Sequence, residues 1–235
     1  MALENPNTVS PKDRDDAPWQ HDKKKGELEH IGKPIRKVDA RSKVSGLTQF
    51  ADDLTMPRML HMKLLRSTMA HAELAHIDTS KAAALPGVKG ILTGKDMPTP
   101  FGILPVSQDE HALCPDHVRF VGDPIVAIAA TEEETAWDAC RLVEVDYREL
   151  RTIGSIQEAA ANDEPRLHDY GVRGNVHRLE NLEFGDLEDG FKRADHIRED
   201  TFWFEGNTHL PMEQHASLAH FDKDGKLTIW SSTQT

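Results

Sequence analysis

Cysteine is scarce in this chain of 235 residues: Cys114 and Cys140 stand alone, with no CxxC spacing, so neither a disulfide framework nor an iron–sulfur cradle is encoded here. Any iron–sulfur centre has to come from another polypeptide or segment. Basic charge is also in deficit. The formal net charge of -12 argues against nucleic acid, because phosphate binding needs a clustered excess of Lys and Arg, and the only basic run is Lys23-Lys24-Lys25. No apolar stretch approaches the roughly 20 residues needed to span a bilayer, and the first 30 residues lack the apolar core of a secretory signal. A cytoplasmic protein with no membrane span is therefore expected. GxGxxG, P-loop, GxSxG and HExxH motifs are absent as well, so no dinucleotide fingerprint, phosphate cradle, nucleophile elbow or zincin helix is present.

What is present is a hydrophobic fraction of 38%, enough for at least one buried core. Residues 1–30 are polar, mix both charge signs and carry Pro6, Pro11 and Pro18, which is the composition of a disordered tail. Order is expected from Ile31. The apolar run at 60–65 reads as a strand, and Asp78 offers an acceptor to the free amides of a short helix over 80–85, stopped by Pro86 and Gly87. A strand over 88–92 follows at once. The continuous apolar run Pro124–Ala130 predicts a strand covered on both faces. Thr131 and Glu134 have the spacing of a capping box, and Ala136, Ala139, Cys140 and Val143 fall on one helical face. Val143, Val145 and Tyr147 then alternate with acidic residues, as in a strand with one wet face. Two rounds of strand, helix and strand thus place an α/β (α+β) domain at 31–150.

Residues 151–182, with Pro165, Gly171 and Gly174, read as a linker between two domains. In the second, 183–235, Asp186 is placed to cap a helix carrying Leu187, Phe191 and Ala194 on one face. Residues 197–204 read as an aromatic strand, and 217–221 with 227–232 as a hairpin around the turn 222–225. Because the last arm ends mid-strand, a truncated domain is expected.

Catalytic signals from residues alone are weak. Among thirteen histidines the densest cluster is His209, Glu213 and His215, whose spacing fits neither one helical face nor one strand face, so it predicts no metal site; His71 and His76 fare no better. Asp109, Glu110, Asp116 and Asp123 read as solvated loop charges.

A resemblance carries more. The succession Met59-Leu60-His61, Leu65-Arg66-Ser67, Ala70-His71-Ala72, Ile77-Asp78-Thr79-Ser80-Lys81-Ala82 and Leu85-Pro86-Gly87-Val88 resembles the α/β hammerhead domain that opens the aldehyde oxidase and xanthine dehydrogenase large subunit. Further matches are Val118-Arg119, Val121-Gly122, Val143-Glu144-Val145, Tyr147, Leu150, Gly185-Asp186, Met212-Glu213 and Ser231-Ser232-Thr233-Gln234. Within the family, Pro100-Phe101-Gly102-Ile103-Leu104-Pro105 and Gly122-Asp123-Pro124 are similar to the α subunit of 4-hydroxybenzoyl-CoA reductase, while Thr68 departs from a usual proline.

The resemblance implies a hammerhead domain over 31–150, followed after the linker by the start of a molybdopterin-binding α+β domain. It implies a molybdenum cofactor in the complete subunit, with 2Fe-2S and possible further iron–sulfur clusters and FAD on partner subunits. The partners so implied are the remainder of the large subunit, an iron–sulfur subunit, an FAD subunit and a small-molecule aromatic substrate, in a dimer of heterotrimers. It implies no catalytic residue within these residues and one cofactor-binding residue, Gln234, whose amide lies within hydrogen-bonding reach of the molybdenum's oxygen ligands and brings no charge. The glycine-rich segments that hold the pyranopterin, and the general-base glutamate, would lie after residue 235. Two alternatives stand beside this reading: a non-catalytic hammerhead module that binds electron-transfer subunits, and a self-standing enzyme, disfavoured because no acid, base and nucleophile set appears.

Overall fold

In a computed structural model that describes residues 31–102, 108–211 and 213–233, the chain begins with a short helix, α1 (Ala40–Val44), and a 3-10 turn at Ala51–Asp53. The disordered tail expected at 1–30 lies outside the described residues. Next come β1 (His61–Arg66), β2 (Ala72–Asp78), α2 (Ser80–Ala83), β3 (Val88–Thr93), β4 (His117–Val118), β5 (Pro124–Ala130), α3 (Glu133–Leu142) and β6 (Glu144–Glu149). Two three-stranded sheets result, ordered β1-β5-β3 and β4-β2-β6. Every pairing is antiparallel, so the strand and helix alternation does not build parallel crossovers.

The apolar run of β5 becomes the central strand, with His61 opposite Ala130 on one side and Ile91 opposite Ile128 on the other. Its side chains are buried in alternating directions, since Ile125, Val126 and Ile128 are all fully buried. α3 lies across β1 and β5 and against α2, and contributes Ala136, Ala139 and Cys140 to the core. Small side chains on this helical face allow close approach to the sheet. Ala72, Cys114 and Val118 join the same cluster and connect the two sheets through one core.

Local signals hold at several points. Asp78 accepts from the Ser80 amide at 2.8 Å, and the short helix ends before Pro86. The capping box expected from Thr131 and Glu134 does not form. Instead the Thr131 amide bonds the Gly87 carbonyl at 3.0 Å, which draws Thr131 out of the helix and leaves Glu132 as N-cap without a side-chain bond. The acidic residues Glu133 and Glu134 in the first turn, and Arg141 in the last, still suit the helix dipole.

Gly94, just beyond β3, is required by close approach: a Cβ there would come within 2.3 Å of the Cys114 carbonyl oxygen. Gly122 has φ of +98° in the turn from Phe120 to Asp123, and its amide crosses to the Ser67 carbonyl at 2.8 Å. The 151–182 stretch is not structureless, for it contains α4 (Ile156–Ala161), capped by Ser155. Asp186 caps α5 (Leu187–Arg193), accepting from the Asp189 amide at 2.9 Å. The expected strand at 197–204 is not formed. Apolar composition alone supplied that expectation, and no neighbouring strand pairs with it among the described residues; Phe202, Trp203 and Phe204 are instead at least 80% exposed. The hairpin is present as β7 (Ser217–Phe221) and β8 (Leu227–Ser231), with Ser217 opposite Ser231.

Candidate functional site

Gln234, the cofactor-binding residue implied by resemblance, lies outside the described residues, but the framework that leads to it is visible. The ladder of the β7 and β8 hairpin ends at Ser217 and Ser231, whose hydroxyls are 2.9 Å apart. Beyond the ladder, the Ser232 hydroxyl accepts from the Ala216 amide at 2.8 Å and donates to the Gln214 carbonyl at 2.9 Å. The Ser232 amide donates to the Ala216 carbonyl at 3.1 Å. A groove of about 680 Å³ opens at this end of the hairpin, between it, the 3-10 turn and the start of β1; His61, Lys63, His215 and Thr233 are among its walls. Lys63 is held there by Glu133 at 2.5 Å and lies 5.1 Å from the centre of the Trp137 ring. That pairing holds the Glu133 carboxyl below its ordinary value.

The donors at the hairpin end are uncharged hydroxyls and amides. No three His, Cys, Asp or Glu come together to hold a metal among the described residues, and His209, Glu213 and His215 are all exposed. Such a set cannot ligate a metal firmly, and its own bonds build the hairpin end; a molybdenum cofactor that carries its metal on the pyranopterin needs no such ligands, only a groove of this kind beside a firm edge. By this criterion the residues fit the group.

A second cavity, of about 310 Å³, lies between the 108–124 segment and His168. Here Asp109 meets His168 at 2.9 Å and accepts a hydrogen bond from the Tyr170 hydroxyl. Arg119 donates from Nε to the Leu167 carbonyl at 2.6 Å and from Nη1 to the His117 carbonyl at 3.1 Å. The Asp109 contacts and the Arg119 bond to Leu167 tie 167–170 to the 108–119 segment. Burial, then the Arg119 cation, pushes the His168 imidazole below its ordinary pKa. Burial also raises the Asp123 carboxyl, whose Oδ2 accepts from the Arg119 amide at 3.1 Å. Cys114 is pushed up to about 11 by burial first and the Asp123 charge next, so its thiol is neutral and no nucleophile at neutral pH.

Two of the four carboxylates read as solvated loop charges are therefore not so. Glu110 and Asp116 are exposed, whereas Asp109 and Asp123 are partly buried and bonded. His168 and Tyr170 were missed, because their contacts with Asp109 are long-range and no short-range signal marks them. Cys114 and Cys140 are both free and buried. Among the described residues no helix is long and apolar enough to cross a membrane.

Two family profiles match in tandem, "Aldehyde oxidase and xanthine dehydrogenase, a/b hammerhead domain" over residues 45–151 and "Molybdopterin cofactor-binding domain" over residues 167–235. The chain belongs to the xanthine dehydrogenase and aldehyde oxidase family. It joins a hammerhead domain to the start of a molybdopterin cofactor-binding domain. Relatives in this family include a probable xanthine dehydrogenase component from Bacillus subtilis, 39% identical over 87% of this chain and 27% of its own length. The nicotinate dehydrogenase large molybdopterin subunit of Eubacterium barkeri is 36% identical over 87% of this chain and 47% of its own. Among solved family structures, the aldehyde oxidoreductase from Desulfovibrio gigas superposes with a TM-score of 0.73 at 31% identity, covering 83% of this chain and 23% of that one. Reconstituted CO dehydrogenase from Oligotropha carboxidovorans gives 0.75 at 32%, covering 86% and 27%. The chain thus spans less than half the length of these relatives.

Proposed function

We propose that this chain acts as the N-terminal part of the molybdenum-cofactor-binding subunit of an oxidoreductase. The observation that carries the reading is the hairpin end, where the Ser231-Ser232-Thr233-Gln234 stretch continues a built β ladder beside a groove walled by serine hydroxyls and by the Lys63 and Glu133 pair. When bound, the molybdenum cofactor supplies exchange of an oxygen atom with a substrate carbon. This chain's contribution is placement. The Ser217 and Ser231 pair closes the hairpin, Ser232 fixes the exit, and Gln234 presents an amide that donates without adding charge. Two lone cysteines make no iron–sulfur cradle in these residues, so under this reading the electrons leave through clusters carried elsewhere. Partners with 2Fe-2S centres and FAD, in a dimer of heterotrimers, complete the assembly under this reading.

The substrate is an aromatic small molecule. The 100–105 and Gly122-Asp123-Pro124 segments favour an aromatic acyl-CoA from which a phenolic hydroxyl is removed; residues 103–107 of that loop lie outside the described residues. The names of relatives at 39% and 36% identity favour a nitrogen heterocycle such as xanthine or nicotinate instead. Turnover of the complete, partner-loaded enzyme with 4-hydroxybenzoyl-CoA and a low-potential donor, but not with xanthine or nicotinate and an acceptor, is expected from the loop. The opposite pattern assigns the heterocycle, and no turnover with either class contradicts the aromatic reading.

A further inference from the structure

We propose that residues 162–177 form a strap across the junction of the two domains, closed while His168 is neutral and released when its imidazole takes up a proton. The strap is tied into one unit. Asn175 Oδ1 accepts from the Leu167 amide at 2.9 Å, and Asn175 Nδ2 donates to the Pro165 carbonyl at 3.0 Å and the Asn162 carbonyl at 3.3 Å. The Val172 amide donates to the Val176 carbonyl at 2.9 Å, and the Val176 amide to the Arg173 carbonyl at 2.8 Å. Among the described residues no strand ladder joins this unit to either hammerhead sheet, so it can part from them without breaking a sheet. Its hold is the polar knot at Asp109. That carboxylate accepts from the Tyr170 hydroxyl and lies 2.9 Å from His168 Nδ1, while Arg119 Nε donates to the Leu167 carbonyl at 2.6 Å.

A carboxylate can only accept, so His168 Nδ1 carries the proton in the closed strap, and Nε2 is where a second one would add. The surroundings of that added charge decide the outcome. The Arg119 guanidinium faces it from the hammerhead side, and His177, whose ring is 4.7 Å from that of Tyr170, from the strap itself; Asp109 and Asp169 supply the opposing charge. Glu110, His111 and Asp123 line the same cavity. Burial of the ring, with the Arg119 cation next, outweighs the Asp109 carboxylate, so the closed strap holds the imidazole below its ordinary pKa of 6.5. Released into water, the ring regains that value. The open strap therefore binds more protons than the closed one, and acid favours opening. Closure is at full strength above the ordinary value and weakens as pH falls from there toward the lower pKa of the closed state. One proton changes the ratio of closed to open by at most about tenfold per pH unit.

Amide hydrogen exchange of the full-length protein, from about pH 7.5 to about pH 5.5 with times scaled to the intrinsic rate at each pH, reads the strap. Amides of 166–177 are expected to lose protection severalfold, up to about tenfold, over the lower half of that range, while those of β5 keep theirs. Asparagine puts an amide nitrogen where Nδ1 stood and does not titrate, so His168→Asn is expected to keep the strap protected at every pH. His177→Asn is expected to retain the acid opening. Asp109→Asn lowers protection about tenfold already at neutral pH, because two hydrogen bonds lose their charged acceptor. Acid opening that persists in His168→Asn, or vanishes in His177→Asn, assigns the proton elsewhere and overturns the inference. So do wild-type protection that stays flat, a parallel loss in β5, which marks general unfolding, and neutral-pH protection untouched by Asp109→Asn. Should His168→Asn not fold, exchange of the His168 C2 hydrogen in the wild-type protein decides: a protonation midpoint below the ordinary 6.5 is expected, and one at or above it overturns the proposal.

Discussion

Ile128→Ala is expected to lower the free energy of unfolding by about 3–4 kcal/mol, within the range for removing a large aliphatic side chain from a core. Ile128 is fully buried at the middle of β5, opposite Ile91 on β3 and Lys63 on β1. Its cluster includes Ala139 and Cys140 on α3, whose short side chains cannot extend into the space vacated. The cavity therefore persists and adds to the lost transfer energy. Urea unfolding followed by circular dichroism measures the change, with Leu182→Ala, at a position 91% exposed, expected to stay within about 0.5 kcal/mol. A loss below about 1 kcal/mol for Ile128→Ala would mean that β5 is not the centre of the fold.

Gln234→Ala in the complete enzyme is expected to reduce kcat about tenfold to a hundredfold, the range of lost outer-shell support at a metal centre. An amide can donate a hydrogen bond while remaining neutral, so it orients an oxygen ligand without shifting the charge at the cofactor. Gln234→Glu keeps the length but replaces the donor by an acceptor and adds a negative charge; it is expected to lose at least as much. Steady-state kinetics normalised to molybdenum content check both. Wild-type turnover by Gln234→Ala at full molybdenum content would show that the position does not have this role.

Elements whose stability comes from nearby residues were legible in the sequence. β5 and α3 declare themselves by an uninterrupted apolar run and a helical apolar face, and α5 by the Asp186 cap. The hairpin is carried by the Asp222 to Gly225 turn, where the Asp222 side chain accepts from the Asp224 amide at 2.9 Å and the Lys226 amide at 2.8 Å. β2 escaped because a bulge between Leu74 and His76 breaks its two-residue period, and β4 because two residues hold no period at all. Thr131 illustrates a tertiary bond overriding a local one, since its amide belongs to Gly87 rather than to a helix cap. The aromatic run at 202–204 shows the converse error, strand composition without a strand partner.

Site features divide in the same way. The Ser-Ser-Thr-Gln stretch is readable as a motif, and the hairpin that carries it as a turn. The Tyr170 bond to Asp109 joins residues 61 positions apart, and nothing in the composition of either segment specifies the other. That polar knot has no short-range signature, because it is created by the fold that brings 167–170 over the 108–124 loops.

On the reading proposed above, these residues belong to a subunit that carries a molybdenum cofactor. Metal analysis of the complete subunit, produced with its partner subunits in a cell that makes the cofactor, tests it most directly. About one molybdenum per subunit is expected, by analogy with a cofactor carried as a tightly held group. A folded, fully assembled complex that contains no molybdenum would contradict the account and leave the hammerhead domain as an interaction module.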